Sequence, residues 1–152
     1  MRWLRSCFCQ LTLICAALTA CAGLFSSEPA GPIYDVRSAV VLGGPNVPPE
    51  LLSGIGDRID SAINATVRTE VYPRVVLTIR VASVQKAVGF DRNRNVAKIK
   101  IDAASVDDGS VIAVSAFEVT STAYDKSMVD QILAEDVAAR IRSAFQLTAG
   151  GA

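Results

Sequence analysis

Few residue types able to do covalent or metal chemistry occur in this chain, and their positions restrict them further. Histidine is absent, and all four cysteines (Cys7, Cys9, Cys15, Cys21) fall within the first 21 residues. Zinc, copper and haem sites draw on His or Cys, so no such site is expected beyond that point. A His-based catalytic triad is excluded. The chain contains neither a Gly-x-Ser-x-Gly elbow nor a Walker loop. Gly54-Ile55-Gly56 falls inside a helical pattern rather than after a strand, which removes it as a phosphate loop. Asp107-Asp108 is the one acid pair that resembles a site, either as paired acids or as calcium ligands. It precedes Gly109-Ser110, where aspartate commonly bonds its own backbone, and the turn is the preferred reading. The expectation is a protein with no catalytic residue, no metal and no cofactor. A hydrolase or transglycosylase-like enzyme is the alternative from another class.

What remains is binding by charge. Residues 68–100 carry eight cations against Glu70 and Asp91, and residues 102–136 carry eight acids against Lys126. Two readings stand. The segments are neighbours and pair across strands, or the basic one presents a face to an anionic partner. Arg80, Lys98 and Lys100 are the candidates for such a face. Their strand parity opposes that of Leu77, Ile79, Ile99 and Ile101, so they project away from the apolar side.

The elements that must position these residues follow from periodicity. Residues 34–43 alternate as a first strand, with Val36, Val40 and Leu42 on one side and Arg37 and Ala39 on the other. Pro48-Pro49-Glu50 opens a helix over 48–68, with Leu51, Ile55, Ile59, Ile63 and Val67 recurring every four residues. Gly54 and Gly56 weaken it locally and suit close packing on a sheet. Val75, Leu77, Ile79 and Val81 mark a strand over 75–82, with a parity slip at Ser83-Val84 that suggests a bulge. Ala97 to Ala103 alternate as a third strand. Asp107-Asp108-Gly109-Ser110 closes a hairpin. The fourth strand carries Val111, Ala113, Phe117 and Val119 inward and extends toward Tyr124. A near capping box at Ser127-Met128-Val129-Asp130 opens the last helix, whose ladder is Val129, Leu133, Val137, Ile141 and Phe145. The order β-α-β-β-β-α predicts a two-layer α+β domain over 34–147. Its four-stranded sheet is mainly antiparallel with both helices on one face, and residues 148–152 fray.

The N-terminus carries a different signal. Met1-Arg2-Trp3-Leu4-Arg5 carries two arginines and no acid, and Ser6 to Ala20 contains no charge. That layout is a secretory signal peptide over 1–20. An uncleaved membrane anchor and an ordinary secreted protein are the alternatives. The segment ends in Leu18-Thr19-Ala20-Cys21, which resembles the bacterial lipobox. The resemblance implies cleavage before Cys21, a lipid on its thiol, and attachment to a membrane. Residues 21–33 then serve as a Gly/Ser/Pro-rich tether. Without Arg2 and Arg5, 13 basic residues face 15 acidic ones, a charge of −2. That balance, with few aromatics, does not suit nucleic-acid binding.

A lipobox, a tether and β-α-β-β-β-α together resemble the LPS-assembly lipoprotein family LptE. The cues are Gly56-Asp57-Arg58, the Val75–Val81 strand, the Asp107–Ser110 hairpin and the stretch Ile132 to Ile141. The resemblance covers most of residues 34–146 at the level of architecture. It implies a periplasm-facing lipoprotein of the outer membrane that binds lipopolysaccharide through basic strand residues, here Arg80, Lys98 and Lys100. Ala22 after Cys21 favours the outer membrane by resemblance to enteric sorting. Members of that family plug a β-barrel translocon, and this domain is short, and poor in aromatics, for that role. The alternative is an accessory lipoprotein of another envelope machine, a pilotin or a transporter subunit. The expected partners are the membrane through the anchor, an envelope protein, and an anionic lipid or lipopolysaccharide.

Overall fold

The computed structural model describes residues 32–150. The signal segment, Cys21 and most of the tether lie outside the described residues. The described elements are strand β1 (Asp35–Gly43), helix α1 (Pro49–Ala65), strands β2 (Arg74–Val88), β3 (Arg94–Ser105) and β4 (Val111–Thr122), a 3-10 turn (Lys126–Met128) and helix α2 (Val129–Phe145). The strands lie in the order β1-β2-β3-β4. β1 pairs parallel to β2, and the other two pairings are antiparallel. Parallel neighbours need a crossover, which α1 supplies, while β2 to β4 run as a meander joined by short loops. α1 packs on β1, α2 packs on β3 and β4, and the helices touch each other. This is the expected two-layer α+β domain.

The core lies between the helices and one face of the sheet. Val75, Leu77, Ile79 and Val81 of β2 meet Ile99, Ile101 and Ala103 of β3, all almost fully buried. Above them sit Leu51, Ile55, Ile59 and Ala62 of α1. From α2 come Val129, Leu133, Val137, Ile141 and Phe145, the ladder read from the four-residue spacing. Gly54 packs differently from expectation. A Cβ there would lie 3.2 Å from Ala134 Cβ, so this glycine admits the second helix rather than the sheet. Gly56 faces the sheet, near Val41.

Three strand and helix boundaries differ from the sequence reading for identifiable reasons. In β1 the pairing with β2 shifts between Val36 and Ser38. One extra residue inverts the parity beyond it, so Ala39 and Val41 pack against the core while Val40 and Leu42 are exposed. In β4 the register shifts opposite Ala103/Ala104, and Val111 is 57% exposed rather than inward. α1 stops at Ala65, where Thr66 turns extended and its hydroxyl donates back to the Ala62 carbonyl. Val67, expected in the apolar ladder, is 82% exposed.

Other local expectations hold or shift by a residue or two. The irregularity after Val81 is present, and β2 continues past it to Val88. β4 ends at Thr122. The cap before α2 is Asp125, which accepts from the Ser127 N–H and hydroxyl and organises the 3-10 turn; Ser127 itself does not cap the helix. Gln146 closes α2 in the left-handed region. The chain is held beyond that point, since the Thr148 N–H donates to Thr66 Oγ1, where fraying was expected.

Candidate functional site: the open face of the sheet

Strand alternation assigns every second residue to the face the helices leave uncovered. On β2 and β3 these residues are Val76, Thr78 and Arg80, then Lys98, Lys100, Asp102 and Ala104. Arg80 and Lys100 are direct register partners, and Lys98 stands opposite Glu118 of β4. All three predicted cations therefore share one surface. Asp102 divides them. It lies 3.7 Å from Arg80 Nε and 3.8 Å from Lys100 Nζ. Its side chain is 21% exposed, against 54% for either cation. With Glu118 included, the group keeps one net positive charge.

Sequence reading missed the apolar part of this face. Val40, Leu42 and Val114 lie on it and are 50%, 40% and 62% exposed. Val40 and Leu42 arrive there only because of the bulge in β1. Leu42, Gly43 and Gly44 border a shallow recess with Arg80 and Lys100. Gly44 cannot be replaced cheaply, since a Cβ would sit 2.8 Å from the Ala82 carbonyl oxygen. The resulting surface combines cationic tips with an apolar floor. Such a surface can receive a ligand that carries anionic and apolar parts side by side.

The basic and acidic thirds of the sequence also meet outside this face, through a turn and a helix rather than across strands. Arg74 pairs with Asp107 in the β3–β4 turn, and Lys86 Nζ lies 2.7 Å from Asp130 at the start of α2. The Asp107-Asp108 pair is turn chemistry. Asp108 accepts from the Ser110 N–H and hydroxyl, contacts that hold its carboxyl below the usual range. Among the described residues no group of three His, Cys, Asp or Glu side chains is placed to hold a metal ion.

On the helix side, Glu135 bridges Arg142 and Arg58, each at 2.7 Å. The Arg142 hydrogen bond and then that from Arg58 hold its carboxyl below the ordinary value. Its neighbour Asp136 is shifted up, first by burial and then by the charge of Glu135. The signs oppose. Glu135 contributes stability above its unfolded pKa and loses it as pH falls through the lower folded value. Asp136 costs stability once pH rises past its unfolded value. Asp136→Asn should therefore raise the melting temperature by about 1–3 °C at pH 7 and leave it unchanged near pH 3. Glu135→Gln should lower it at pH 7 by a similar amount, as befits a partly exposed network. Thermal unfolding at both pH values reads the effect, and the same response from both variants would contradict it.

No family model matches the chain, and neither does any curated protein. Solved structures do resemble it. A protein from Xanthomonas campestris, from a domain family of unknown function, is 14% identical, covers 77% of this chain and 84% of its own, and superposes with a TM-score of 0.52. A PelC dodecamer from Paraburkholderia phytofirmans is 18% identical over 79% of this chain and 93% of its own, at 0.49. A candidate lipoprotein from Caulobacter crescentus is 14% identical over 70% of this chain and 80% of its own, at 0.35. The Xanthomonas likeness establishes a shared fold, and at that identity the fold is what it conveys.

Proposed function

We propose that this chain is a bacterial envelope lipoprotein without enzymatic activity, anchored through Cys21, whose domain binds an anionic amphiphile or an envelope protein on the open sheet face. The anchor rests on Leu18-Thr19-Ala20-Cys21 following an uncharged segment behind Arg2 and Arg5. No described helix is long and apolar enough to cross a membrane. The binding role rests on one observation: Arg80 and Lys100 stand side by side on an uncovered face whose floor includes exposed Val40, Leu42 and Val114. The finer form of this reading makes lipopolysaccharide the ligand and the outer membrane the site, as the LptE resemblance implies. The alternative is an accessory subunit of another envelope machine, engaging a protein through the same face.

Charge reversal tests the face. Exposed ion pairs contribute about 0–1 kcal/mol each, so Arg80→Glu, Lys98→Glu and Lys100→Glu together should leave the domain folded. Binding to lipopolysaccharide or to vesicles with anionic headgroups should then fall at least about tenfold, and wild-type binding should weaken as salt rises. Wild-type-like binding by the triple variant, or salt-independent binding, would remove the anionic-ligand reading. Loss of the fold would make Asp102 and its cations a structural cluster instead.

A further inference from the structure

The two ends of the sheet are not equivalent with respect to Cys21. The chain enters the domain at Asp35, whose N–H donates to the Pro73 carbonyl at 2.9 Å. Asp35 is also the register partner of Arg74. The pole around this entry carries the α1–β2 loop, residues 66–73, and the β3–β4 turn. Its charged groups are largely engaged within the domain. Arg68 Nη2 donates to the Phe145 and Gln146 carbonyls, Arg74 pairs with Asp107, and Arg37 pairs with Asp35. Tyr72 donates to Glu70. Projecting beyond them are Val67 and Val71, 82% and 102% exposed, with Val106 at 43% on the adjacent turn. Two nearly bare β-branched side chains on one eight-residue loop have no packing partner among the described residues.

Chain length indicates what meets them. Thirteen residues lie between Cys21 and Asp35, a span of at most about 50 Å at full extension. The other pole, with exposed Phe90 and Tyr124, lies beyond the far end of β2, a strand of 15 residues and so about 45 Å long. With the sheet standing end-on to the membrane, that pole reaches it only when the linker is drawn out almost completely. The Val71 pole reaches it at any shorter extension. We infer that the α1–β2 loop, through Val67 and Val71, is a membrane-contact surface that seats the domain on the lipid to which Cys21 attaches. The pole bearing Phe90 and Tyr124 then faces away from that membrane. Because the nearby charges are internally paired, the contact is apolar and depends little on headgroup charge.

This inference rests on the lipid-anchor reading, and one experiment separates the two. The sequence contains a single tryptophan, Trp3, which leaves with the signal peptide on processing. A mature lipidated chain is therefore free of indole, and Val71→Trp and Phe90→Trp each introduce one reporter at a fully exposed position. Full-length chains carrying either change, expressed in a bacterial host and labelled with palmitate, are reconstituted into phosphatidylcholine vesicles containing brominated acyl chains. Val71→Trp should emit blue-shifted light and lose more than about half of it to bromine quenching, whereas Phe90→Trp should emit as in water. The result for Val71→Trp should persist when anionic lipid is added. Palmitate-labelled protein with Val71→Trp unquenched, or with Phe90→Trp quenched more strongly, overturns the contact surface while leaving the anchor intact. Unlabelled protein that retains Trp3 overturns the anchor and the inference with it.

Discussion

Leu133→Asp or Val137→Asp should abolish cooperative folding at ambient temperature or lower the melting temperature by tens of degrees. Both side chains are fully buried, one turn apart, at the centre of α2. Both belong to the apolar core, and α2 packs there against β4, β3 and the neighbouring helix. A carboxylate placed there loses its water and gains no partner, and even as the neutral acid it leaves polar atoms unbonded. The cost is several kcal/mol, set against a total of about 5–15 kcal/mol for a domain of this size. Ala139→Asp on the same helix faces solvent and should cost only about 1 kcal/mol, from lower helix propensity and repulsion by Glu135 and Asp136. Circular dichroism melts of the three variants measure the difference. Melting of Leu133→Asp within a few degrees of wild type would show that this face is not the core.

The second large effect concerns attachment. Cys21→Ser should eliminate palmitate incorporation and leave the leader uncut. The attacking group in thioether formation is a thiolate, and a serine hydroxyl stays protonated at neutral pH and does not substitute for it. Each acyl methylene buried in a bilayer contributes about 0.8 kcal/mol, so two chains hold a protein stably and none leaves it without that anchor. Because the uncut leader is itself apolar, membrane fractionation alone does not read this variant. Label uptake and precursor size do. The domain over residues 32–150 builds its core without Cys21, so its melting behaviour should be unchanged once solubilised. A Cys21→Ser chain processed and labelled as wild type would remove the lipoprotein reading.

Much of this protein was determined by local sequence. Strict two-residue alternation from Val75 to Val81 and four-residue spacing from Val129 to Phe145 specify a strand face and a helix face without reference to anything distant. The hairpin at Asp107–Ser110 needs only aspartate's ability to bond its own backbone and a glycine tolerant of φ +74°. The shared face of Arg80, Lys98 and Lys100 followed from the same alternation. Tertiary structure decided what depends on partners far along the chain. The bulge after Val36 is set by pairing with β2, and it moved Val40 and Leu42 from the side they share with Val36 in the sequence to the floor of the candidate site. Val67 kept helical spacing yet left the helix, because Thr66 turns back on Ala62 and Arg68 reaches the end of α2. Gly54 looked like a sheet contact until Ala134 was brought against it. Strand parity already set Asp102 on the face of Lys98 and Lys100, with Glu118 as a second acid able to close it off, but the β2–β3 register was needed to bring Asp102 to Arg80 as well. Periodicity records which way a side chain points relative to its neighbours. It does not record where one extra residue reverses that direction, nor which distant group lies opposite. Those are properties of strand pairing and helix packing, set once the whole core has closed.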